Sequence, residues 1–276
     1  MATRTHTVDR AGVELAVWEA GEGIPVLLLH GLSATHRYVV MGSTRLERGG
    51  HRVISYDARG HGASSPAPSP DAYGYEELAL DALAVLDALE VPRAVLAGAS
   101  MGAQTLLRVA LEHPDRVGGV VVITPAYDPE SDDPSRLARW DALSEGLRTG
   151  GIDGFLAAYG EPTGSATWRD AVLTVIRQRL SLHEHPDAVA DALAAVPRSR
   201  PFASLSDLER IAVPAAIVAS SDEADPEHPQ AVGEAYAAAI PGATLITDEP
   251  GHSPIAWQGS QLSGVIADVA GEAQIS

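Results

Sequence analysis

Ser100 stands between two glycines in Gly98-Ala99-Ser100-Met101-Gly102, directly after the apolar run Ala94-Val95-Leu96-Ala97 and directly before a stretch with helical spacing. A chain that turns sharply from a buried strand into a helix has no room for a side chain at either flanking position, because each would meet the neighbouring strand or helix. Such a strained turn lifts the serine hydroxyl into the open, where it can attack a carbonyl carbon. A neutral hydroxyl is a poor nucleophile until a base takes its proton. Pro250-Gly251-His252-Ser253-Pro254, which follows the strand-like Ala243-Thr244-Leu245-Ile246-Thr247, offers that base. Between the two lies Ala215-Ala216-Ile217-Val218-Ala219, a strand whose trailing loop carries Asp222, Asp225 and the turn-forming Pro226 and Pro229. The order is serine, acid, histidine. It suits acyl transfer, with His252 as general base and an aspartate fixing the imidazole tautomer.

The elements that must position these groups follow from the apolar pattern. Val26-Leu27-Leu28-Leu29 reads as a buried strand running into His30-Gly31-Leu32-Ser33, and Val53-Ile54-Ser55-Tyr56 as another running into Asp57-Ala58-Arg59-Gly60-His61-Gly62. Val120-Val121-Val122-Ile123 is a further buried strand, and short strands near Thr5 to Val8 and Glu14 to Trp18 are expected to form an antiparallel edge. Leu78, Ala82, Val85 and Leu89 recur at helical spacing, and a second helix is predicted from Met101 to about His113, stopped by Pro114. This alternation predicts a mostly parallel sheet with helices on both faces. After Pro125 the pattern changes, and no strand-like run returns until Ala215. Instead, Leu137, Trp140, Leu143 and Leu147 share one helical face, Trp168, Val172, Ile176 and Leu180 another, and Val189, Leu193 and Val196 a shorter one. The division expected is a core of residues 1–124 and 205–276 with a helical cap, 125–204, inserted over Ser100. Trp140, Phe155, Tyr159 and Trp168 are the residues expected to line an acyl pocket beneath it.

In order and over nearly the whole chain, these motifs resemble the α/β-hydrolase superfamily, in particular its single-domain esterase, lactonase and cofactor-free perhydrolase branches. The residues that carry the resemblance are His30-Gly31, the Asp57 to Gly62 turn, Gly98 to Gly102, Asp225-Pro226-x-x-Pro229 and Gly251-His252. One departure is Ala103, where many relatives have another glycine. The resemblance implies the α/β-hydrolase fold, with an eight-stranded, mostly parallel sheet, and an oxyanion hole made by the backbone N–H groups of Leu32 and Met101. It favours Asp225 as the acid, because this residue opens the Asp-Pro-x-x-Pro pattern. Asp222, nearer the strand end, and Asp128, after the sixth strand, stay open as alternatives. His30 is expected to hold the oxyanion loop, Asp57, Arg59 and His61 to fix their turn, and His228 to face solvent. A serine at the elbow points away from epoxide hydrolases and haloalkane dehalogenases, whose covalent ester needs a carboxylate nucleophile. The function expected is hydrolysis of a carboxylic ester, lactone or thioester through an acyl-enzyme at Ser100. A perhydrolase or a carbon–carbon bond hydrolase on the same residues, and a non-catalytic ligand-binding member of the fold, are the alternatives.

Composition narrows the field further. The 276 residues carry 37 acidic and 19 basic side chains, a formal charge of −18, and every basic residue other than histidine is arginine. Without lysine there is no P-loop lysine, Schiff base, pyridoxal-phosphate anchor or Ser-Lys dyad. Asparagine and cysteine are absent too, which removes glycosylation sequons, Cys-His-Asn triads, disulfides and thiolate metal sites. His183 and His185 fall in the expected cap and are not read as a metal pair, and neither a metal nor another cofactor is expected. The acidic balance argues against nucleic-acid or anionic-membrane partners and leaves a small-molecule acyl substrate as the expected one. The start of the chain lacks an apolar signal-peptide core and no run reaches membrane-spanning length, so a cytoplasmic location is expected.

Overall fold

The sheet of this protein comprises β1 (Arg4–Arg10), β2 (Val13–Ala20), β3 (Ile24–Leu29), β4 (His51–Tyr56), β5 (Ala94–Ala99), β6 (Val117–Ile123), β7 (Ala215–Ala219) and β8 (Thr244–Thr247). The computed structural model describes residues 3–131, 134–162, 168–221, 228–248 and 257–275. The strand order is β1-β2-β4-β3-β5-β6-β7-β8; β2 pairs antiparallel with β1 and β4, and every other pairing is parallel. The helices are α1 (Arg45–Arg48), α2 (Tyr75–Ala88), α3 (Met101–Glu112), α4 (Pro134–Tyr159), α5 (Arg169–Leu180), α6 (Pro186–Ala195), α7 (Gln230–Ala239) and α8 (Gly259–Glu272).

The continuous apolar runs are explained by burial on both faces of the sheet. Ala94 and Leu96 of β5 join the core under α2, α3 and α7, whereas Val95 and Ala97 point the other way into the core under α1 and α8. By contrast β2, near the edge, alternates buried with exposed or half-buried residues, as a strand covered on one face should. The chain runs from β3 to β4 on one side and then returns to place β5 on the other side of β3. Leu29 and Gly98 are register partners across that reversal, so the turns leaving β3 and β5 lie side by side at the carboxyl edge of the sheet. A crevice at such a switch point is where open α/β sheets bind ligands.

Between β6 and β7, α4, α5 and α6 build an apolar cluster of their own from Leu143, Leu147, Phe155, Ile176, Leu180, Val189 and Leu193. Helix α4 is broken at Gly151 (φ 58°, ψ −146°). Its two arms then pass so closely that a Cβ on Gly146 would lie 2.5 Å from the Gly154 carbonyl oxygen. Leu32 packs against both this cluster and the main core, which sets the helical segment beside the turn after β3.

Candidate active site

Ser100 sits between the last residue of β5 and the first of α3 with φ 51° and ψ −112°. For a residue with a Cβ this left-handed backbone costs on the order of 1–3 kcal/mol and persists only where the surroundings enforce it. The enforcement is visible. The Ser100 N–H donates to the Ile123 carbonyl (3.0 Å), and its own carbonyl accepts the Gln104 N–H at 3.1 Å as the first bond of α3. A Cβ on Gly98 would come within 2.5 Å of Gly102, and one on Gly102 would come within 2.0 Å of the Leu29 carbonyl oxygen. Both glycines are therefore demanded by the crossing of strand and helix. Met101 opens α3, so its N–H belongs to the first turn, whose amides have no intrahelical acceptor and point along the positive end of the helix.

The turn after β3 lies against this serine. A Cβ on Gly31 would meet the Ser100 Cβ at 3.4 Å and the Ala99 carbonyl oxygen at 3.3 Å. Gly31 to Ala34 form a four-residue turn closed by the Ala34 N–H on the Gly31 carbonyl (3.0 Å), with Ser33 at φ 61° in the place glycine usually takes. Leu32 is the second residue of that turn.

His30, His61 and His183 surround it, and each has a donor role and an acceptor role. His30 Nδ1–H donates to the Gly31 carbonyl (2.8 Å), while Nε2 accepts the Ala58 N–H at 2.9 Å. His61 Nδ1–H donates to the Arg59 carbonyl (3.0 Å), while Nε2 accepts the Ser33 N–H at 3.3 Å. His183 Nε2–H donates to the Ser33 carbonyl (3.1 Å), and Nδ1 accepts the Gly62 N–H at 2.8 Å. An imidazole that accepts an N–H on one nitrogen is neutral. Burial agrees: it pushes His30 down to about 4, His61 well below its ordinary value, and His183 down as well.

Asp57 is buried too, but burial, which works against its charge, is outweighed by hydrogen bonds from the His36 ring and backbone and from the Ala63 N–H, which hold its carboxyl below the ordinary range. Arg59 donates from Nε and Nη2 to the two carboxylate oxygens of Asp81 on α2, both at 2.7 Å. His30, Asp57, Arg59 and His61 thus do the holding work the sequence suggests.

His228 departs from expectation. Its ring faces the nucleophile turn and not solvent, with Nε2 2.9 Å from Ser100 Oγ. The solvent-facing expectation came from its place beside the acid loop alone, because a loop residue between Glu227 and Pro229 has no period to orient it. His252, Asp225 and Asp222 lie outside the described residues. The ends of their loops are described, however. Asp248, just past β8, accepts the Ser221 N–H on Oδ1 (2.6 Å) and its hydroxyl on Oδ2 (3.1 Å), and Trp257 Nε1–H donates to Ser220 Oγ at 3.1 Å. Both flanks of residues 249–256 are therefore tied to the end of β7. The third acid candidate, Asp128, accepts the Glu130 N–H on Oδ1 at 2.9 Å, which is a turn-forming use.

Of the four aromatic residues expected in the pocket, Phe155 is buried in the α4–α6 cluster, stacked on Tyr159 with ring centroids 6.3 Å apart, and Trp140 packs on the same cluster. Trp168 does not join them. It precedes α5 and is 40% exposed, whereas Ile176 and Leu180 further along that helix are buried. Among the described residues no group of three or more His, Asp or Glu side chains is arranged to hold a metal ion.

An eight-stranded sheet with this order, carrying a serine on a strained strand-to-helix turn beside a His-Gly turn, defines an α/β hydrolase. Residues 24–258 match the model of the alpha/beta hydrolase fold family, and the chain belongs to that family. Over 142 residues, 50% of this chain and 43% of the relative, it is 36% identical to Epoxide hydrolase A of Mycobacterium tuberculosis. The chain matches about half the length of such curated relatives, 47%, 47% and 43% in three cases. Two solved structures are similar over 96% of this chain and 97% of theirs: Est816, described as an N-acyl homoserine lactone degrading enzyme (28% identity, TM-score 0.72), and a thermophilic esterase from Thermogutta terrifontis (25%, 0.77).

Proposed function

We propose that this protein is a serine hydrolase that cleaves a carboxylic ester, lactone or thioester through an acyl-enzyme on Ser100. The observation that carries this reading is the Ser100 hydroxyl, held at a left-handed turn with the Gly31–Leu32 turn alongside and the His228 Nε2 2.9 Å away. Ser100 Oγ attacks the substrate carbonyl carbon while a histidine takes its proton. The oxygen that becomes negative is received by the N–H groups of Leu32 and Met101, each worth about 3 kcal/mol in the transition state. The leaving group departs with the proton from the histidine, and water repeats the sequence to release the acid.

His252, oriented by Asp225, is the base in this reading, on the order of the motifs and the resemblance. The contact between His228 and Ser100 favours a second reading in which His228 fills that role. Oxygen nucleophilicity without a carboxylate at the elbow supports acyl chemistry over the alkyl-enzyme chemistry that epoxide opening requires. No metal or organic cofactor takes part, the substrate is a small acyl compound that reaches the site past the cap, and the location is the cytoplasm. None of the described helices is long and apolar enough to cross a membrane.

The test is labelling and turnover on one preparation. A fluorophosphonate is expected to modify Ser100, and a panel of chromogenic esters, lactones and thioesters is expected to be hydrolysed with chelator present. Turnover with no label at Ser100, or labelling with no turnover of any panel member, counts against the reading; the second result points to a ligand-binding protein.

A further inference from the structure

We propose that Arg179 and His183, both on the helical segment between β6 and β7, are positioning residues for the oxyanion hole. Through Ser33 they hold the Leu32 amide in place, so that turnover depends on the docked cap. The inference rests on the reading of Leu32 N–H as an oxyanion donor.

Ser33 is 5% exposed and has a left-handed backbone, and each of its polar groups is engaged. The N–H donates to His61 Nε2 at 3.3 Å, the carbonyl accepts His183 Nε2–H at 3.1 Å, and Oγ accepts Arg179 Nη2–H at 3.0 Å. A non-glycine residue with this backbone relaxes elsewhere unless its neighbours prevent it. Here one holding group comes from the core turn and two come from the cap. Arg179 lies in the last turn of α5 beside Leu180, which is buried in the cap cluster, so the arginine moves with that cluster. His183 is fixed to the core from the other side as well: Gly62 donates its N–H to His183 Nδ1 (2.8 Å), and the Gly62 carbonyl accepts the Glu184 N–H at 2.9 Å. Lifting the cap removes two of the three restraints on Ser33. The turn that carries the Leu32 N–H then keeps its own closing bond, from the Ala34 N–H to the Gly31 carbonyl, but is free to shift relative to the Met101 amide with which, on this reading, Leu32 shares the oxyanion. A displacement of about 1 Å in such a donor is enough to cost roughly two orders of magnitude in rate.

The experiment compares Arg179→Met, His183→Ala, His183→Gln and His183→Asn with wild type, reading kcat, KM and the affinity of a trifluoromethyl ketone that forms a tetrahedral oxyanion on Ser100. A glutamine amide nitrogen reaches the position of Nε2 and can donate to the Ser33 carbonyl; an asparagine reaches only the position of Nδ1 and can accept from Gly62. Arg179→Met and His183→Ala are each expected to lower kcat about tenfold, leave KM nearly unchanged and weaken the ketone in proportion to kcat. His183→Gln is expected to recover most of the loss and His183→Asn little of it. Folded variants with wild-type kcat, a rise in KM alone, or equal rescue by asparagine would overturn the proposal. Where Arg179→Met fails to fold, Ser33→Gly replaces it, since glycine keeps the backbone and removes only the hydroxyl that Arg179 holds. Wild-type protein that turns over esters without modification at Ser100 overturns the parent reading and this one together. A labelled wild type with indifferent variants sinks this one alone.

Discussion

Gly102 passes Leu29 so closely that a methyl group on it would lie 2.0 Å from the Leu29 carbonyl oxygen and 2.8 Å from that of His30. Both oxygens are backbone, so the clash has no flexible side chain to absorb it. The start of α3 and the end of β3 must separate, and the serine turn and the His30-Gly31 turn separate with them. Gly102→Ala is expected to lower kcat by about two orders of magnitude in whatever fraction folds, because a shift of about 1 Å is sufficient for that loss. Gly271 in α8 is the control: a Cβ there meets nothing within 4 Å, and Gly271→Ala is expected to raise stability by up to about 1 kcal/mol. Thermal melts and steady-state kinetics on the two variants check both statements.

His228 and His252 are separable by substitution. With His252 as the proposed base, His252→Ala disables the unit and is expected to lower kcat by a factor on the order of 10⁴. His228→Ala removes one hydrogen bond to Ser100 Oγ and is expected to cost about tenfold. The reverse ranking, measured on the same ester, would assign the base to His228.

What the sequence conveyed, and what it did not, divides along physical lines. The positions of Gly98 and Gly102 were readable because a strand-to-helix crossing forbids a side chain there wherever it occurs. The interior strands were readable because burial on two faces leaves only apolar residues. His228 and Trp168 were not, since their direction depends on loop dihedrals and on a helix boundary that no periodicity marks. Asp248 and Ser33 escaped for another reason. An aspartate after a strand or a serine in a turn is common, and only the distances to Ser221, His61, His183 and Arg179 show that they hold the ends of loops.

Arg59 and Asp81 form a two-pronged pair at 1% and 0% side-chain exposure, with Arg10 donating to the same carboxylate at 2.6 Å. Arg59 and Arg10 also pair with Glu77 on the same helix. Deleting the Asp81 charge removes the two-pronged partner of a buried guanidinium and leaves Arg59 the more exposed Glu77 as its carboxylate. Asp81→Asn is therefore expected to destabilise the fold by about 3–5 kcal/mol, measured as a fall in the urea midpoint at constant slope. The loss reaches activity through the Asp57 to Gly62 turn, because Arg59 also donates to the Ala72 carbonyl at 2.6 Å and anchors that turn to α2 from within. A loss under about 1 kcal/mol would show that Glu77 and water replace the carboxylate.

Acid is expected to unfold the site before it titrates most carboxylates. His30 falls from its ordinary value of 6.5 to about 4 on folding, chiefly because burial penalises the charged ring. Of the groups that face it, the Asp57 carboxylate favours protonation, and the His36 and His183 rings oppose it. Between the two values the unfolded chain binds more protons than the folded one, so stability rises with pH there. The contribution of His30 is complete above about pH 6.5 and is lost as the pH falls to about 4, an amount on the order of 3 kcal/mol. His61 and His183 are shifted in the same direction by the same burial and steepen the decline. Asp57, held below its ordinary 3.8, adds its own loss only in stronger acid. Urea midpoints taken from about pH 8 down to about pH 4.5 are expected to fall steadily once the pH drops through about 6.5. His30→Gln, which keeps an acceptor for the Ala58 N–H but has no proton to gain, is expected to flatten part of that slope. A wild-type midpoint that stays level across this range would show that the three rings are solvated, and that the neutral network around the Leu32 turn does not stabilise the fold.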